Sequence, residues 1–162
     1  LAVEWHPLDR HGRQPETGVA KADDPNRHRV ERLAEESGVE MAQYTADGVD
    51  SRPAQRVAWH VRMRHPEHFE AFHRALFDAL WRACRDIGDR VVLDELAVGA
   101  GLPEGFVTST LEDPASASSL RLAFQDARQR GVDDVPTFVA GGNTLRGPVS
   151  PTRLRGFLER PY

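Results

Sequence analysis

GVDDVPTFVAGGNTLRG, residues 131–147, is the stretch on which the fold turns. Its middle, Val135 to Ala140, is an apolar, β-favouring run with a proline close to its start. Proline has no N–H to give to a strand ladder and is confined in sheets to edges, bulges and first residues; fixed in the cis form, it usually marks a purposeful turn. Gly141, Gly142 and Asn143 supply turn residues before a second short run, TLRG, so the segment reads as a β-hairpin with a glycine-bearing loop. Helical patterns bracket the hairpin. Upstream, SASSLRLAFQDARQRG brings Leu120, Ala123, Phe124 and Ala127 to one side of a helix that stops at Gly131. Downstream, SPTRLRGFLE has Ser150 as N-cap, Pro151 at the first helical position, and Leu154, Phe157 and Leu158 facing inward.

Further toward the N-terminus the three- and four-residue period dominates. DDPNRHRVERLAEESG offers Asp24 as N-cap, Pro25 at the first helical position, Val30, Leu33 and Ala34 on one face, and Gly38 as a stop. VDSRPAQRVAWHVRMRHP places Ala54, Val57, Ala58 and Val61 together, and Pro66 closes it. PEHFEAFHRALFDALWRAC carries the strongest periodicity, with Phe69, Phe72, Leu76, Leu80 and Cys84 on a face that Phe77 and Trp81 widen. Two shorter helices follow, in DRVVLDELAVGAGLP and in PEGFVTSTLED with Glu104 in its first turn. At the start of the chain, Leu1 to Trp5 alternates as a short strand would, and Pro7 ends it. The order is strand, many helices, hairpin, helix.

Composition bounds what this order can serve. A chain of 162 residues with 40% hydrophobic and 28% charged content suits one compact domain with its own core. A formal charge of -4, with arginines interleaved among acids, gives no electrostatic reason to expect nucleic acid. No apolar run approaches the roughly 20 residues that span a bilayer, so no membrane partner is expected. One cysteine, Cys84, excludes an internal disulfide and a thiolate zinc cage.

The 131–147 run, followed by Leu-x-Gly and a terminal helix, resembles the C-terminal half of thioredoxin-fold proteins. More narrowly, it is similar to the DsbA-like group in which a helical insertion splits the fold. That group includes FrnE-type oxidoreductases, 2-hydroxychromene-2-carboxylate isomerases and kappa-class glutathione transferases. LAVEWHPLD resembles the group's second strand, HRVERLAEESG its first inserted helix, FHRALFDALW its Phe-rich long helix, and DIGDRVVLDELAVGAGL the helix after it. The implied fold is α/β, thioredoxin-like with an α-helical insertion and truncated at the N-terminus. The resemblance implies a single domain over 1–162: a strand in 1–8, a mainly helical insertion and return helix in 24–131, and a hairpin plus terminal helix in 132–162. It also implies that Pro136 is a cis-proline and that Val135 pairs its backbone with an extended substrate peptide or thiol ligand, with Asp134 and Thr137 beside it.

The group's chemistry lies in a first strand and a Cys-x-x-Cys helix, which precede the strand that LAVEWHPLD resembles. Dithiol exchange needs an activated thiolate and a second, resolving cysteine. Neither is in this chain, so it carries no catalytic residue of its own on this reading. The missing strand would leave a gap in the sheet, filled by upstream residues, by a partner chain or homodimer, or removed by rearrangement. The start at Leu1 favours the first. The implied function is that of a cytoplasmic thiol–disulfide oxidoreductase of the FrnE type with its dithiol upstream and no cofactor. The alternatives are a glutathione-dependent isomerase or transferase, and a non-catalytic binding module. Asp134 stands where the group usually has glycine, and an acid there disfavours the carboxylates of glutathione.

Other chemistry reads weakly. Cys84, on the face of Leu80 and Phe77, is expected to be a buried, inert core thiol. His60, His65, His68 and His73 crowd one region, but Pro66 breaks the helix near His65 and the spacing from His68 to His73 is five, so solvated surface or capping histidines are expected and no metal site. There is no Gly-x-Ser-x-Gly elbow, and no Lys-Ser pair follows Gly141-Gly142-Asn143 to make a phosphate loop.

Overall fold

The computed structural model describes residues 3–8, 25–42 and 49–159. Their elements, in chain order, are α1 (Pro25–Glu36), α2 (Arg52–Arg64), α3 (Pro66–Trp81), α4 (Arg90–Gly99), α5 (Phe106–Glu112), α6 (Pro114–Gln129), β1 (Thr137–Ala140), β2 (Asn143–Arg146) and α7 (Pro151–Leu158). The fold is mixed α/β and mostly helical.

Local chemistry sets the helix ends. α1 closes on Gly38 at φ +64°, with the Val39 N–H donating to the Ala34 carbonyl at 2.8 Å and the Gly38 N–H to Glu35 at 3.1 Å, a Schellman cap. α2 stops at His65 because the residue before a proline is pushed out of the helical region, and Pro66 then occupies the first turn of α3. Among the described residues, three helices have side-chain N-caps. Asp89 accepts from the Val91 N–H at 2.8 Å, Asp113 from Ala115 at 2.9 Å, and Ser150 from Arg153 at 3.3 Å. The proposed cap of α1, Asp24, lies outside the described residues. α5 starts at Phe106, behind Gly105 at φ +76°, so Glu104 precedes the helix and is not in its first turn.

The chain divides into two compact units, residues 11–120 and residues 1–10 together with 121–162. In the first, α2 packs on α3 and α5, and α4 packs on the same two helices. Its core gathers Val57 and Val61 of α2, Phe72 and Leu76 of α3, Leu93 of α4 and Val107 of α5. Those of α2 and α3 are the periodic positions read from the sequence, so pattern and packing agree in these two helices. Beneath them Arg56 is half-buried. It donates to the carbonyls of Thr110 and Asp113 at 3.0 and 2.5 Å and to Ser116 Oγ at 2.6 Å, tying the end of α5 to the start of α6.

In the second unit β1 and β2 pair antiparallel, with Thr137 opposite Arg146 and Ala140 opposite Asn143. The loop is the two residues Gly141 and Gly142, both at positive φ (50° and 78°), as a type I′ turn demands. Asn143, expected in the turn, is the first residue of β2. The strand expected over 1–8 is not formed by the described residues 3–8. A strand exists only through its ladder partners, and the sheet of the described residues consists of β1 and β2. Ala123 and Ala127 of α6 and Phe157 of α7 are buried, with Leu154 and Leu158 half-buried, on the faces that their spacing marks.

Cys84 departs from expectation. α3 ends at Trp81, and the chain then turns, with the Ala83 N–H donating to Asp78 and the Arg85 N–H to Ala79. Cys84 takes φ +52° in that turn and is exposed. The periodic face continues on paper to residue 84, but the helix does not, so the thiol never reaches the core.

Candidate functional site

The four residues expected to hold substrate, Asp134 to Thr137, lie between the end of α6 and β1. α6 terminates on Gly131 at φ +72°, with the Val132 N–H donating to Ala127 at 2.9 Å. The chain then runs through an exposed Asp133–Pro136 segment into the hairpin. The Val135–Pro136 peptide bond is cis. Thr137 Oγ1 donates to the Asp134 carbonyl at 2.6 Å, and the Gly147 N–H donates to the Pro136 carbonyl at 2.9 Å, so both ends of the turn are tied down.

Val135 itself is half exposed, at 46%, and Val139, two strand positions beyond Thr137, is exposed at 55%. The Val135 N–H donates to Oδ1 of Asp134 at 2.8 Å, while its carbonyl accepts no hydrogen bond from a described residue. An exposed apolar side chain beside an open carbonyl at the start of a strand is a surface an extended segment can extend by strand addition.

Arg146 belongs to this site and was not among the residues singled out from sequence. It sits opposite Thr137, donates to the Gly131 carbonyl at 2.7 Å and lies 3.6 Å from Asp133. Only the strand register brings it there, and nothing in the spacing of a lone arginine marks it. Beside the hairpin, β2 and α7 border a cleft of about 420 Å³ lined by Asn143, Thr144, Leu145, Arg153, Gly156 and Phe157.

The other candidates lie in the helical unit and do not assemble a reactive centre. Among the described residues no group of three or more His, Cys, Asp or Glu side chains could hold a metal ion. His68 Nδ1 stands 3.0 Å from the Ala100 carbonyl, which can only accept, so this nitrogen carries the proton and caps the end of α4. His60 and His65 pack their rings against Phe106 at 5.7 and 5.3 Å, and His73 stacks on Phe69 at 5.1 Å. Burial, followed by the nearby Arg64 charge, holds the His60 pKa below the usual histidine value, and burial does the same for His73. Both rings behave as packing groups.

No helix among the described residues is long and apolar enough to cross a membrane. Comparison with known proteins adds the wider context. A family model described as "DSBA-like thioredoxin domain" matches residues 1–159. Among solved structures, the chain is similar to a "putative protein disulfide isomerase" from Nitrosomonas europaea, with a TM-score of 0.69 and 21% identity, covering 88% of this chain and 76% of that one. No curated protein sequence matches the chain.

Proposed function

Because the chain belongs to the DsbA-like thioredoxin family, we propose that residues 134–137 form the substrate-docking edge of a FrnE-type thiol–disulfide oxidoreductase whose reactive dithiol lies outside these 162 residues. The observation that carries this reading is the half-exposed Val135, its carbonyl unpaired among the described residues, immediately before Pro136 and the β1 strand. The partner it fits is an extended peptide bearing a thiol or disulfide, held by main-chain pairing while exchange takes place on the dithiol. The chain's own part is to bind and orient. Cys84, alone and in the other compact unit, has no second thiol to resolve a mixed disulfide. The Asp134 carboxylate at this edge weighs against glutathione, which is itself acidic, as the ligand.

The test compares the 162-residue chain with the natural polypeptide that contains it, in an assay that follows oxidation of a dithiol peptide. The natural polypeptide turns the peptide over and the 162-residue chain is inert. Turnover by the 162-residue chain that Cys84→Ser abolishes would overturn the reading, and so would an inert natural polypeptide that carries a dithiol.

A further inference from the structure

The Val135 amide is not open to a visitor as it stands. Its proton is taken by Oδ1 of Asp134, the preceding residue, at 2.8 Å. The surrounding bonds fix that arrangement, since Thr137 Oγ1 holds the Asp134 carbonyl and Gly147 holds the Pro136 carbonyl. An extended segment that pairs with Val135 needs both its N–H and its C=O. One of the two is already occupied from within. Resting on the docking reading above, we propose that Asp134 is the specificity-determining residue of this edge. Its carboxylate competes with the carbonyl of an incoming extended peptide for the Val135 amide, so that the edge takes peptides with no acidic side chain beside it.

The geometry makes the competition local. The bond joins neighbouring residues outside the strands, so releasing the amide leaves the β1–β2 ladder intact. A carboxylate is a stronger acceptor than the peptide carbonyl that replaces it, so docking carries a penalty that every substrate must offset. Once displaced, the carboxylate remains beside the docked peptide. An Asp or Glu there would face a like charge, whereas a neutral or cationic residue would not. Thr137 acts as a positioning residue, because its hydroxyl sets the backbone turn from which the carboxylate reaches the amide.

The test is an amide-shift titration of the 162-residue chain, as Asp134, Asp134→Ala and Asp134→Asn, with short extended peptides that differ only in a central Ser, Lys or Glu. Asp134→Ala binds the serine peptide about 3- to 10-fold more tightly, the range one exposed hydrogen bond supplies, and accepts the glutamate peptide equally well. Asp134→Asn keeps a weaker, uncharged acceptor for the Val135 N–H, so it tightens serine-peptide binding less than Asp134→Ala does while relieving the discrimination against glutamate. Equal affinities for all three peptides in all three proteins, with shifts confined to Val135 and β1, would overturn the role of Asp134 and leave docking standing. An absence of shifts at Val135 and β1 with every peptide, in Asp134→Ala as well, would overturn the docking reading and this inference with it.

Discussion

Arg56 shows how much one side chain can decide. Its guanidinium reaches carbonyls 54 and 57 residues away and a hydroxyl 60 residues away, where Ser116 Oγ in turn lies 2.6 Å from the Thr110 carbonyl. Hydrogen bonds to a charged donor contribute roughly 1.5–3 kcal/mol when made, and the carbonyls left behind add to the loss. Arg56→Ala therefore lowers stability by about 2–3 kcal/mol in urea unfolding followed by circular dichroism. Arg56→Lys recovers only part of it, since an ammonium lacks the planar fork that spans three acceptors. A change below about 0.5 kcal/mol, the size of an ordinary surface substitution, would show the network to be incidental. Nothing in the helical period marks this residue, because its partners are distant in sequence. Cys84 teaches the converse. It fits the period and is nonetheless exposed, because backbone turning at residues 82–85 ends the helix first.

At the scale of an element, α3 carries a pH dependence. His73 is half-buried in a ladder with Phe69 and Phe77, at centroid distances of 5.1 and 5.0 Å, and burial disfavours its charged form. Its pKa in the folded chain lies below the ordinary 6.5, so the unfolded chain binds the proton more readily. Stability from this group is therefore present above pH 6.5 and is lost as the pH falls below it. His60, lowered in the same direction, adds to the effect. The thermal midpoint should drop between about pH 7.5 and 5.5, and His73→Phe should flatten that drop without abolishing it. A midpoint just as steep in the variant would assign the pH dependence to other groups. The helix itself was legible from its apolar spacing. The ring ladder was not, since His73 reads as a surface or capping histidine: residues 69, 73 and 77 are four apart, but burial of the middle ring depends on what packs around it.

Among the described residues of the whole molecule, the helical unit holds the larger share of the buried apolar side chains, with Phe72 fully enclosed in its core. Truncating a buried phenylalanine removes its transfer free energy and leaves a cavity, so Phe72→Ala should cost about 3–5 kcal/mol of unfolding free energy. A loss under about 1 kcal/mol would mean that the core collapses onto the gap or that Phe72 is not at its centre. What the sequence by itself determined was the run of helices, the cap at Ser150, the stop at Gly38, Pro25 and Pro151 at first helical positions, the hairpin around Gly141-Gly142, and the family. All of these rest on interactions within a few residues along the chain, or on a pattern of such segments in order. Tertiary structure alone decided that residues 3–8 form no strand, that Cys84 is exposed, that Arg56 clamps two helix ends and that Arg146 reaches Gly131. It also decided that Asp134 covers the Val135 amide, although the two are adjacent. A side chain's choice among acceptors and donors depends on the backbone path around it, and that path is set by contacts no local pattern contains.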